Sequence, residues 1–205
     1  MKKIKSTLPN IMLSLTSICL IAGIALSAAN KYTESAIEAS KALALQNAIR
    51  QVTPAFDNKP IEDQYKIAVT EGDSLTFYPA MQGGKYVGCA VESYTKNGFS
   101  GLIRVMVGFD ADNRLYNYSV LEHNETPGLG TKMEAWFRDK KNGQNIIGRD
   151  LSKGLLRISN DGGDVDAITA ATISSRAFLD AVNRAFSTYY SDTDAVSGAT
   201  DRQNE

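Results

Sequence analysis

Asp166-Ala-Ile-Thr-Ala-Ala-Thr172-Ile-Ser-Ser175 is the stretch on which the reading of this chain turns. Beyond Ser175 the apolar residues Phe178, Val182, Ala185, Phe186 and Tyr189 recur at three- and four-residue steps, which predicts a helix with one apolar face running to about Tyr190. Thr172 falls in its first turn. There the unpaired backbone N–H groups and the positive end of the helix dipole favour an anion. Ala170 and Ala171 add no bulk, so a ligand held through a phosphate can come close to the main chain. A plainer role is open as well, because Thr169, Thr172 and Ser174 are of the types that cap helix starts. Local physics leaves both readings standing.

Upstream of this stretch the pattern changes from helix to strand. Leu75 to Tyr78, Tyr86 to Val91, Leu102 to Phe109 and Leu115 to Leu121 read as strands, the last two joined by a turn at Asp110-Ala-Asp-Asn113. Asp57 to Asp73 reads as a polar loop, and a short helix is expected around Met133 to Arg138. Lys31 to about Val52 reads as a helix that stops before Pro54. The fold class is therefore α+β, a twisted antiparallel sheet with helices packed against it. Ser191 to Glu205 is polar, lacks large apolar residues and reads as a flexible tail.

The N-terminus has a different character. Lys2, Lys3 and Lys5 precede an uncharged, Ile-, Leu- and Ala-rich run from Leu8 to Ala29, long enough to cross a bilayer as one helix. Positive charge before the run places residues 1–30 as a cytoplasmic N-terminus and single-pass anchor in the cytoplasmic (inner) membrane, with residues 31–190 outside or periplasmic. Ser27-Ala28-Ala29 also satisfies a signal-peptide cleavage site, but the apolar run is longer than a usual signal core, which favours retention. Of the two cysteines, Cys19 lies in this run and Cys89 in an apolar strand, so the reading is two unpaired thiols and no metal site. A net charge of -1 with no basic stripe argues against nucleic acid. With a single histidine and no His/Cys cluster, any redox chemistry falls to an organic cofactor.

The Asp166 to Thr172 run resembles the flavinylation motif of the FMN-binding domain family, Asp-x-x-(Ser/Thr)-Gly-Ala-Thr, whose last threonine carries FMN through a phosphoester bond. A second stretch, Glu125-Thr-Pro-Gly-Leu-Gly130 preceded by His123, resembles the loop that lies against the flavin in these domains. Gly98-Phe-Ser-Gly101 and the strands after it are similar to the family's core sheet. The architecture is similar to the G subunits of Rnf electron-transport complexes, with the C subunits of the sodium-pumping NADH:quinone oxidoreductase as cousins.

The resemblance implies a covalent FMN on Thr172, with Glu125, Thr126, Gly128, Leu129, Gly130, Thr169 and Ala171 as cofactor-binding residues and Asp166 as the motif's acidic member. It implies a flavin transferase that draws on FAD and a metal ion and releases AMP, and the other Rnf subunits as partners. In that setting the chain is an electron relay rather than a catalyst alone. Gly128 and Gly130 would let the main chain approach the ring, Pro127 would stiffen the loop, and Leu129 would offer an apolar face. Glu125 and Thr126 could bond the ring or the loop itself, and His123 reads as structural. Asp166 serves either as a mark read by the transferase or as a carboxylate capping the helix start.

One departure is Ala170, where the family has glycine, so a left-handed backbone is less accessible. The tail repeats the motif as Asp194-Ala-Val-Ser-Gly-Ala-Thr200, which makes Thr200 a possible second acceptor. Two other classes stay open, an anchored flavoprotein working alone with an extracytosolic reductase and a non-redox domain in which Thr172 is only a cap.

Overall fold

A computed structural model describes residues 7–69 and 72–201. The three N-terminal lysines and residues 202–205 lie outside this range. The chain divides into two units, Met1–Ala44 and Leu45–Glu205.

Helix α1 runs Leu8–Val52. Its stretch Leu8–Glu34 has a mean hydropathy of 2.2 and none of it is buried, so it is long and apolar enough to cross a membrane. In the second unit the last two turns of α1 lie against the sheet, where Ala48, Ile49 and Val52 pack on Tyr78, Ala90 and Met106. Helix α1 stops where expected. Thr53 Oγ1 donates to the Ile49 carbonyl at 2.8 Å and Asn117 Nδ2 to the Gln51 carbonyl at 2.9 Å, which satisfies carbonyls the helix end leaves unpaired.

The sheet is an antiparallel meander in sequence order, β1 Tyr65–Ala68, β2 Ser74–Gln82, β3 Lys85–Gly98, β4 Gly101–Asp110 and β5 Leu115–His123. The architecture is the expected α+β. Alternation assigns its two faces. Val91, Val105, Val107 and Phe109 face the larger core with Phe178, Val182, Ala185 and Phe186 of the last helix, while Ala90 and Met106 face α1. Each fully buried Phe or Val here contributes on the order of 1.5–3 kcal/mol. Gly108 lies where the end of α1 crosses β4, and a Cβ there would fall 1.6 Å from the Val52 carbonyl oxygen.

Three elements differ from expectation. The segment read as a loop before Asp73 contains β1, an edge strand paired with β2 through Tyr65↔Phe77 and Ile67↔Leu75. Strand β3 runs well past Val91, because Ser93 and Thr95 point inward and meet polar partners. Ser93 Oγ donates to the Ala181 carbonyl at 2.8 Å and Thr95 Oγ1 to Asp180 Oδ2 at 2.7 Å.

Helix α3 runs Thr172–Asp201, beyond the end expected at Tyr190 and through most of the segment read as a flexible tail. The apolar stripe stops at Tyr190, yet no proline follows to break the backbone. Asp192 Oδ2 also accepts a hydrogen bond from Tyr65 Oη at 2.9 Å. Between β5 and α3 the chain forms α2, Met133–Trp136, and short 3-10 turns. Cys89 is 1% exposed, and burial pushes its thiol up to about 12, consistent with an inert core residue.

Candidate functional site

Three segments far apart in sequence converge at the start of α3. The first is the tip of the β3–β4 hairpin, Gly98-Phe-Ser-Gly101. The second is the loop after β5, where Thr126-Pro-Gly-Leu129 closes a turn with the Leu129 N–H on the Thr126 carbonyl at 3.1 Å. Pro127 and Gly128, the latter with φ +75°, stand where a type II turn takes proline and a left-handed residue. Thr131 Oγ1 accepts from the Gly128 N–H at 3.0 Å and fixes the loop from below.

The third segment is the motif itself. Ile168 to Ala171 closes a turn of the same kind, with the Ala171 N–H on the Ile168 carbonyl at 3.0 Å. Ala170, at its third position, has φ +61°. The alanine takes up the left-handed backbone that glycine would adopt freely, at a cost of about 1 kcal/mol. Ala170→Gly is expected to stabilise the domain by up to about 1 kcal/mol. A chemical-denaturation midpoint that fell or stayed unchanged would contradict this strain.

Glu125 ties the segments together. Only 4% exposed, it accepts the Ser100 N–H on Oε1 at 3.0 Å and the Ser174 hydroxyl on Oε2. Gly130 passes so close that a Cβ would come within 2.7 Å of Glu125 Oε2 and of Ser174 Oγ, and a Cβ on Gly98 would meet Glu125 Oε1 at 2.7 Å. His123 is part of the same scaffold. Its Nδ1 accepts the Glu125 N–H at 3.2 Å, so its ring proton sits on Nε2, 3.3 Å from Glu134 Oε1.

The convergence encloses a cavity of about 320 Å³, at the small end of the range for ligand pockets. Glu125, Thr126, Leu129, Gly130, Ala171 and Thr172 all line it, together with Phe99, Ala170, Ile173 and Ser174. Phe99 and Ser174 were missed as site residues. An isolated Phe in a Gly-Phe-Ser-Gly turn has no periodic signal, and Ser174 lies 49 residues from its partner.

Other expected residues lie elsewhere. Gly128 shapes the turn behind the lining, and Thr169 is exposed on the outer side of its own turn. Asp166 does not cap α3. Its Oδ2 accepts the Gly143 N–H at 3.0 Å, and its carbonyl accepts from Trp136 Nε1 at 2.8 Å, so it anchors the motif to the Asn142–Gln144 turn. Thr200 falls within α3.

Capping is not the work of the motif's hydroxyls either. Ser175 Oγ accepts the Ile168 N–H and donates to the Ala171 carbonyl, both at 2.9 Å, and Ser174 is held by Glu125. Among the described residues no hydrogen bond engages the Thr172 hydroxyl. It stands half-buried at the cavity wall, beside the unpaired N–H groups that open a 30-residue helix.

Residues 98–187, which include the cavity, the helix start and the Pro-Gly loop, match the model of the FMN-binding domain. The G subunit of the ion-translocating oxidoreductase complex of Shewanella loihica (strain ATCC BAA-1088 / PV-4) is 34% identical over 167 residues, 76% of this chain and 76% of its own length. The G subunit from Escherichia coli (strain K12) is 34% identical over 78% of this chain and 80% of its own. That of Shewanella amazonensis (strain ATCC BAA-1098 / SB2B) is 31% identical over 88% and 86%. The chain belongs to the family of ion-translocating oxidoreductase complex G subunits.

Proposed function

We propose that this protein is a membrane-anchored electron-transfer subunit, carrying FMN on Thr172 through a phosphoester bond and working among the other subunits of an Rnf-type ion-translocating ferredoxin:NAD oxidoreductase complex. The observation that carries the reading is the Thr172 hydroxyl, uncommitted to any described partner, at the mouth of a cavity and at a helix start. The cavity suits a flavin. Phe99, Leu129 and Ile173 offer exposed apolar surface to a flat ring, Gly130 admits the main chain, and the first N–H groups of α3 offer donors to a phosphate. When bound, FMN supplies reversible electron acceptance and release.

The chain's own residues hold the ring rather than act on a substrate. Among the described residues Glu125 is the one ionisable side chain lining the cavity, and both its oxygens are already engaged. No base therefore stands ready for the Thr172 alcohol, and its activation falls to a separate flavin transferase that delivers the FMN moiety from FAD and releases AMP. Attachment would keep the cofactor where a dissociated one would diffuse away.

Intact-mass analysis of the chain co-expressed with a flavin transferase tests the reading. One FMN moiety mapped to the peptide containing Thr172 is expected, and an unmodified Thr172 would refute it. Thr200, in the repeated motif, is proposed as a possible second acceptor, and a second mass increment lost in Thr200→Ala would establish it.

The relatives' membership of an ion-translocating complex and the apolar span of α1 support a place in the cytoplasmic membrane, with the domain on the outer side. Protease added to intact spheroplasts is expected to digest residues 45–205. Digestion only after lysis would reverse the topology.

A further inference from the structure

Among the described residues Glu125 stands out as a buried carboxylate in no ion pair. Every other side chain lining the cavity is apolar, a hydroxyl or an alanine, and no lysine or arginine is among them. The hydrogen bonds to Glu125 come from neutral groups, the Ser100 N–H and the Ser174 hydroxyl, and none of the ion pairs among the described residues involves it. A carboxylate 4% exposed would ordinarily be paired. The start of α3, to which Ser174 belongs, offers its dipole to the carboxylate. A helix dipole supplies only about half an elementary charge. The lining therefore carries net negative charge, held on a side chain that is itself 4% exposed.

On the reading that FMN occupies this cavity, we propose that Glu125 is an electrostatic positioning residue that lowers the reduction potential of the attached flavin. Reduction brings two electrons and one or two protons to the ring, so its charge falls by one or stays the same. A fixed carboxylate beside it opposes the accumulation of negative charge, whichever protein delivers the electrons. The oxidised form is thereby favoured. The hydrogen bonds of Glu125 run to the protein, so its influence on the ring is through its field. The same carboxylate that aligns the hairpin tip, the Pro-Gly loop and α3 thus also sets how readily the site releases electrons.

The conservative variant separates charge from architecture. In Glu125→Gln the amide oxygen can still accept the Ser100 N–H, while the amide NH2 donates to Ser174 Oγ, whose hydroxyl is free to turn and donate elsewhere. Packing and both contacts survive and only the charge is lost. Ser174→Ala does the opposite, keeping the charge and removing one contact.

Detergent-solubilised full-length protein, flavinylated by co-expression, is titrated spectroscopically with dithionite and mediators after intact mass has shown the flavin in place. Glu125→Gln is expected to shift the oxidised-to-reduced equilibrium at least tenfold towards the reduced form, 29.6 mV for a two-electron couple. Ser174→Ala is expected to shift it no further in that direction than the unmodified sequence.

An unchanged potential in flavinylated Glu125→Gln overturns the proposal, and equal upward shifts in both variants reduce Glu125 to a structural clamp. If Glu125→Gln does not load, free FMN bound in excess to Thr172→Ala and to Thr172→Ala/Glu125→Gln is titrated instead, a pair that differs only in the charge at position 125. A raised potential supports the field, and an unchanged one refutes it. Absence of flavin from the unmodified sequence would instead count against the functional reading, an outcome that the mass measurement reports separately.

Discussion

Thr172→Ala is expected to abolish covalent flavin, leaving a folded chain that shows no in-gel flavin fluorescence after denaturation. The completeness of the loss at position 172 follows from chemistry, since alanine has no oxygen to carry a phosphoester. The survival of the fold follows from the surroundings of Thr172. Its hydroxyl makes no hydrogen bond among the described residues, and the helix start is held by Ser175, Ile168 and Ala171 instead. A stability change within about 0.5 kcal/mol is therefore expected. Thr172→Ser keeps an alcohol in place and should retain some attachment. Undiminished fluorescence in Thr172→Ala would assign the flavin elsewhere, with Thr200 the first position to replace next.

Gly108→Ala is expected to be the most damaging Gly→Ala change among the described glycines. A Cβ at this position would lie 1.6 Å from the Val52 carbonyl oxygen and 2.5 Å from its carbon, distances at which backbone must move. Either the end of α1 lifts, uncovering Ile49, Val52, Tyr78 and Met106, or β4 buckles and its pairing with β3 and β5 is broken. Overpacking costs about 1–3 kcal/mol where side chains can adjust, and here the obstacle is main chain, so more than about 3 kcal/mol is expected. Chemical denaturation of the solubilised protein followed by circular dichroism would measure it. A loss below about 1 kcal/mol would mean that the helix end is free to shift.

The sequence exposed the elements whose burial is periodic. Helix α3 was legible from Phe178 through Tyr189 and β4 from Leu102 through Phe109, because one face of each is a continuous apolar row against the core. Strand β1 was not, since four residues at a sheet edge, with Tyr65 41% exposed, leave too short an alternation to notice. The far half of β3 was hidden by its own chemistry, because inward-facing Ser93 and Thr95 satisfy α3 and Asp180 by hydrogen bonding rather than by apolar contact.

At the site, the hydroxyl-rich motif and the Pro-Gly loop were visible as separate strings, yet nothing local in either one announces that Glu125 grips Ser174. The left-handed conformation of Ala170 was signalled only by the glycine that the family places there. Propensity argues against it, and only the closure of the Ile168 to Ala171 turn demands it. Asp166 was legible as important but not as an anchor, because its partner Gly143 lies in a loop with no distinguishing pattern.

The segment that matches the FMN-binding domain begins at Gly98, the last residue of β3, whereas the compact unit begins at Leu45. The matched segment is thus shorter than what must fold. A fragment cut at Gly98 would keep Thr172, Glu125 and the Pro-Gly loop, yet it would lose the strand that pairs with β4 from Gly88 to Thr95 and the two hydroxyls that hold α3 to the sheet. Strand β4 would become a bare edge of Val105, Val107 and Phe109, ready to pair with another copy rather than to present a flavin. The unit of recognition and the unit of folding are different lengths of chain, and trimming to the first would sacrifice the second.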